Sequence, residues 1–107
     1  IFVGGWFSDY NDPLDFLNVM KTGVYDSYGL YSNSEYDSLI DSLTGENDNA
    51  KRLEIYQKLE DLLVAQDCGV APLYYSDKHY YYQNWVKDFY TSSFGASQEL
   101  YRASVQK

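Results

Sequence analysis

The sequence predicts a mixed α/β chain built from about three helices and a few short strands. Apolar residues recur at helical intervals in two places, at Tyr36, Leu39, Ile40 and Leu43 and again at Leu53, Tyr56, Leu59 and Leu63. Apolar and aromatic runs bounded by turn-forming residues, Ile1–Phe7 and Gly69–Tyr75, have the length and composition of strands. At 107 residues, with 45% hydrophobic and 22% charged content, the chain is ordinary for a globular protein and long enough for one modest core, which excludes disorder.

Each element has a local reason. Ile1–Phe7 carries Gly4-Gly5 and reads as a strand whose backbone can be approached closely. The polar run Ser8 to Pro13 is a turn. Asp12-Pro13 starts a helix, because the carboxylate accepts from free N–H groups and proline suits the first turn. Leu14, Phe16, Leu17 and Met20 form its apolar stripe, and Lys21–Tyr31 is a loop. The second helix opens with Asn33 as a candidate N-cap, Ser32 and Glu35 having capping-box spacing, and it ends at Thr44-Gly45-Glu46-Asn47. The third helix, Asp48 to Gln66, is the clearest: Leu53, Tyr56, Leu59 and Leu63, widened by Leu62, are core, and Arg52, Glu54, Lys58 and Asp61 lie off that stripe. A short polar loop makes the last two helices an antiparallel pair. After the Gly69–Tyr75 strand, Asp77-Lys78 is a turn, His79–Tyr82 a short strand, Asn84–Ser97 irregular, and Leu100–Val105 a closing strand.

Composition narrows function. Aromatic content is 19%, with thirteen tyrosines, a residue suited to half-wet surfaces such as ligand clefts. A net charge of −8 excludes nucleic acid, which is gripped by clustered Lys and Arg, and disfavours an anionic membrane surface. The single cysteine, Cys68, permits no internal disulfide and no Cys/His zinc spacing. Cys68 and His79 have no sequence warrant for contact, so a structural cysteine and a solvated histidine are the reading. The acidic residues, including Asp37, Asp41, Glu46 and Asp48, contain no calcium-loop pattern and read as a solvated surface. No apolar run approaches a membrane span, and the N-terminus has neither Met nor a basic region, so it reads as a chain entered in mid-strand.

Five patterns stand in a fixed order: Gly5-Trp6-Phe7-Ser8-Asp9-Tyr10-Asn11-Asp12-Pro13 with Phe16-Leu17; Tyr31 to Asp37 with Leu39-Ile40; Arg52 with Tyr56; Ala71-Pro72-Leu73-Tyr74-Tyr75; and Trp85-Val86-Lys87-Asp88-Phe89. Together, over roughly Val3 to Phe89, they resemble the final portion of the extracytoplasmic solute-binding proteins of oligopeptide and dipeptide ABC importers. The resemblance implies a fragment of a two-lobed periplasmic-binding-protein-like fold, with residues 1–76 in the second, peptide-binding lobe and 77–107 returning across the hinge to the first. It implies a peptide ligand, a membrane permease as partner and no enzymatic activity; no cofactor and no metal are expected. It also implies an extracytoplasmic location, periplasmic or lipid-anchored.

The same resemblance implies the site. Asp9 pairs with the free α-amino group of a bound peptide, while Trp6 and Phe7 present a strand edge to its main chain, a mode that grips peptides without reading side chains. Ser8 and Tyr75 complete the expected ligand-binding set. The residues alone leave a second reading open for Asp9, an Asx-type bond in the turn before Pro13. Tyr74 and Tyr75 alternate faces, so at most one faces a cleft and plain packing is the competing role. Some family members carry arginine at the position matching Val3 and tyrosine at that matching Ser76, which leaves pocket charge and ligand preference open. The alternative from another class is a carbohydrate-binding module stacking sugars on Trp6, Trp85 and tyrosines.

Overall fold

The computed structural model describes residues 3–24, 30–92, 94, 98–100 and 102–106. Helix α1 (Leu14–Leu17) runs directly into a 3-10 turn (Asn18–Met20). Its start is organised by Asp12, whose Oδ1 accepts from the Leu14 N–H at 2.8 Å and whose carbonyl accepts from the Asp15 N–H at 3.1 Å. Helix α2 (Ser34–Ser42) is capped by Asn33, whose extended backbone lets Oδ1 accept from the N–H groups of Glu35 and Tyr36. Asn33 therefore does the work expected of a Ser32–Glu35 box; the Ser32 hydroxyl instead accepts from the Thr22 hydroxyl. Past the end of α2 the chain turns through Gly45, whose φ of 84° suits a residue without Cβ. Helix α3 (Asn49–Glu60) is capped by Asp48 and continues into a π-helical turn (Asp61–Gln66).

Among the described residues these elements share one core. Leu17, Val19 and Met20 meet Tyr36, Ile40 and Leu43 of the α2 region and Tyr56, Leu59, Leu62 and Leu63 of α3 and its π turn. Leu53, expected in that stripe, is 57% exposed. The reason is rotation of the buried face: Ile55 packs against the core, and Arg52 turns inward.

The remaining strands are short and local. β1 (Val86–Lys87) pairs antiparallel with β4 (Ser104–Val105), and β2 (Tyr90–Thr91) with β3 (Gln98–Glu99). The second pair lies inside the first in sequence, and Asp88, at φ 55°, sits where β1 breaks before β2. A non-glycine residue at positive φ is the usual mark of such an interruption.

Several expected strands do not form. Residues 3–7, 69–75 and 79–82 have no strand assignment, Asp77-Lys78 makes no turn, and of the expected Leu100–Val105 strand only Ser104–Val105 is assigned among the described residues; Ile1, Phe2 and Tyr101, which these expectations also covered, lie outside them. Conversely, β1 and β2 occur inside a stretch expected to be irregular. A strand exists only with a hydrogen-bonded neighbour, and no strand among the described residues lies beside these runs. Their side chains are correspondingly uncovered: Leu73, Tyr74, Tyr81 and Tyr82 are all exposed. The Cα radius of gyration is 18.2 Å, whereas a compact domain of this length has about 13 Å. Mixed α/β describes the chain, but its core is helical.

Cys68 and Gly69 close the π turn. Cys68 is exposed, not buried as a structural thiol, and adopts φ 50°, which swings the Gly69 N–H onto the Leu63 carbonyl at 2.8 Å. A Cβ on Gly69 would lie 2.7 Å from Cδ2 of Tyr31 and 3.0 Å from Cδ1 of Leu63. The Tyr31 ring has little freedom to move, since its hydroxyl donates to Asp67 at 2.8 Å and it forms a T-shaped pair with Tyr36. Gly69→Ala is therefore expected to lower stability by about 1–3 kcal/mol, measured by urea unfolding.

Candidate functional site

Three carboxylates lie between Trp6 and the end of α1, two in the turn and one in the helix, and the fold uses them differently. Asp15, in the first turn of α1, is only 6% exposed. Its Oδ2 accepts from the backbone N–H of Asp9 at 2.6 Å and from Nε1 of Trp6 at 3.3 Å, tying the chain before the turn to the helix after it. A buried carboxylate must be hydrogen-bonded, and these charge-assisted bonds fill that need.

Asp12 faces the other way, toward α3. Its Oδ2 lies 2.7 Å from Nη2 of Arg52, and its Oδ1 accepts from the Tyr56 hydroxyl at 2.6 Å. Arg52 also donates through Nη1 to the carbonyls of Leu43 and Glu46, so one guanidinium joins the turn, the end of α2 and α3. Burial opposes ionisation of Asp12. The hydrogen bonds from Tyr56 and Leu14, with the charge of Arg52, outweigh it and hold Asp12 below the usual carboxylate range. Burial, then donation to Asp12, pushes the Tyr56 phenol up to about 12.

Asp9 is the third. It is exposed, and among the described residues its carboxylate accepts no hydrogen bond and joins no ion pair. The Asx-type bond of this turn belongs to Asp12, not to Asp9. Nearby, Tyr10 registers the field of the turn: partial burial and then the charges of Asp15, Asp12 and Asp9 raise its phenol.

Trp6 is half-buried against the core with its indole on Asp15, and Ser8 is half-buried. Phe7 is exposed on one face, with Nζ of Lys78 4.7 Å from its ring centre, so residue 78 lies beside the opening segment. Trp6, Phe7, Ser8 and Asp9 thus form one continuous stretch anchored by Asp15. Tyr75 is 99% exposed and packs against none of them, and Tyr74 is exposed too. Tyr80 and Tyr82 hold Phe89 between them, with ring centres 6.2 and 5.1 Å from it.

Sequence spacing alone points neither to Asp15 nor to the inward role of Arg52. An acidic residue in the first turn of a helix was visible as a favourable charge placement. No spacing rule says that Trp6, nine positions earlier, reaches it. Among the described residues no cluster of His, Cys, Asp or Glu could hold a metal ion, and no helix is long and apolar enough to cross a membrane.

Comparison with characterised proteins puts this geometry in context. The chain is 34% identical over 86 residues to the oligopeptide-binding protein OppA of Bacillus subtilis, covering 78% of this chain and 14% of that protein. It is 33% identical over 82 residues to the periplasmic oligopeptide-binding protein OppA of Salmonella typhimurium, covering 77% and 15%. With the probable deoxycholate-binding periplasmic protein YgiS of Escherichia coli it shares 34% identity over 70 residues, 65% of this chain and 13% of that one. The chain spans about one-seventh of the length of these relatives, and the match falls in their C-terminal portion. No family profile matches the chain, and no solved structure matches it.

Proposed function

The chain belongs, over the stretch it shares with them, to the peptide-binding proteins of ABC importers, and from that premise we propose that it is the C-terminal portion of a longer solute-binding protein that captures oligopeptides. The relatives reported above are binding proteins by name, not enzymes, and none is named for a sugar. Residues 1–76 belong on this reading to the peptide-binding lobe, and 77–107 to the segment that returns across the hinge. A membrane permease is the partner, and the location is extracytoplasmic, in keeping with relatives named as periplasmic.

The observation that carries the reading is the division of labour among the three carboxylates. Asp12 is neutralised by Arg52 and Asp15 is consumed by internal donors, which leaves Asp9 exposed and available for a cation brought by a ligand. A peptide α-ammonium supplies that charge. In the open turn the pair contributes little, because water screens it; closure of a second lobe over it removes that screening and makes the pairing decisive. On this reading a ligand strand pairs with the main chain at Trp6 and Phe7, a stretch with no assigned strand of its own. Ser8 flanks that edge, and Tyr75, with its ring uncovered, supplies apolar surface to the ligand once the cleft closes. The same carboxylate argues against a bile-acid anion as the ligand here, because two negative charges would be brought together.

In the full-length protein, Asp9→Ala is expected to weaken binding of a short peptide with a free amino terminus by roughly tenfold to a hundredfold, read by calorimetry. Unchanged affinity would overturn the assignment.

A further inference from the structure

We propose that Asp15 is a positioning residue for ligand capture, a buried carboxylate that fixes the direction in which Asp9 meets an incoming ammonium group. This rests on the reading of Asp9 given above. Asp15 touches no ligand; it acts through the Asp9 backbone and the Trp6 indole.

A carboxylate taken out of water is expensive unless it is well satisfied, and packing alone would be better served by an apolar side chain of similar volume. Among the described residues Asp15 joins no ion pair with Lys or Arg, unlike Asp12 and Asp41. What it has instead are two N–H donors, both from the stretch that carries the expected ligand contacts, and both on the same oxygen, Oδ2. The Asp9 bond, at 2.6 Å, is the shorter of the two and holds the residue's own backbone. With that N–H fixed to the helix, the Asp9 side chain is restricted to the few rotamers that one backbone position allows. The Trp6 bond orients the residue on the other side of Phe7-Ser8, so both ends of this short stretch are pinned to one point on α1. A ligand that meets a prearranged carboxylate loses less freedom on binding, which raises affinity for the group that the carboxylate recognises.

The test compares two ligands in the full-length protein by calorimetry: a short peptide with a free amino terminus and the same peptide N-acetylated. Wild type prefers the free amine. Asp15→Ala is expected to lower affinity for the free-amine peptide about tenfold and to leave the acetylated peptide within about threefold, so that the preference collapses. Asp15→Asn, whose side-chain oxygen still accepts from both donors, retains most of the preference. Equal losses for both peptides in Asp15→Ala, or an undiminished preference, overturn the proposal. If Asp15→Ala does not fold, Asp15→Leu decides by the same pair of titrations, since it fills the buried space while removing the acceptor. Asp9→Ala runs in parallel. A preference that survives Asp9→Ala refutes the reading of Asp9, whereas a preference lost in Asp9→Ala but kept in Asp15→Leu refutes only the role of Asp15.

Discussion

Replacing Tyr36 by alanine is expected to cost about 3–5 kcal/mol of folding stability, the range for deleting a large aromatic side chain from a closed core. Tyr36 is 0% exposed and stands where all three helical segments meet. Its ring and that of Tyr31 form a T-shaped pair at a centroid distance of 5.3 Å, and its hydroxyl donates to the Leu17 carbonyl at 2.8 Å. The substitution removes ring, T-shaped pair and interhelical hydrogen bond together. Tyr36→Phe separates these contributions: the ring stays, the donor goes, and the loss should be about 1 kcal/mol. Urea unfolding of both variants checks the pair. A loss below about 1 kcal/mol for Tyr36→Ala would mean that α2 does not hold α1 through this residue. Burial pushes the phenol up, so ionisation does not break the bond near neutral pH.

The second large effect is expected at Arg52. Arg52→Ala should destabilise by about 2–4 kcal/mol, because it leaves the half-buried Asp12 carboxylate without its cation and the carbonyls of Leu43 and Glu46 without these donors. Arg52→Lys should recover only part of that loss, since one ammonium cannot reproduce a planar fork that reaches Asp12 and two carbonyls at once. The pH dependence has a definite sign. Asp12 is held below its unfolded value, so the stability it contributes is fully present above about pH 4. That contribution is lost as pH falls through the lower, folded value. Wild type should therefore lose stability on acidification in this window, and Arg52→Ala should lose less there, because part of the depression is gone. Denaturation at pH 7 and below pH 4 for both proteins measures it. Equal acid sensitivity of the two would show that Tyr56 and the Leu14 N–H alone depress Asp12.

The two predictions concern the same design. Arg52 and Tyr56 sit one helical turn apart on α3 and grip the turn through Asp12, while Asp15 grips it from α1. The exposed carboxylate of Asp9 is thus carried on a turn clamped from two helices, although a turn on its own would sample many conformations.

Much of this was readable along the chain. The helices follow from apolar spacing, and Asn33, Asp48 and Asp12 organise helix starts through local geometry: a short acceptor side chain reaches N–H groups two or three residues ahead. Such interactions span a few residues, so sequence contains them. The strands are not legible along the chain, for the opposite reason. Runs such as Gly69–Tyr75 have strand composition, but a strand is a relation between two segments, and composition describes only one. Leu53 shows the same limit on a helix. Periodicity identified a stripe, yet whether α3 buries Leu53 or turns Arg52 and Ile55 inward depends on where α1 and the end of α2 stop.

The sequence by itself determined the helical elements, their caps, the acidic character and the position of Asp9 in a turn between an aromatic pair and a proline. Only the tertiary structure decided that Asp12 and Asp15 are spent on the protein's own donors while Asp9 is left over. Three aspartates within seven residues are chemically alike on the page. They become different when Arg52, forty positions beyond Asp12, and Trp6, nine before Asp15, fold against two of them and desolvate their surroundings.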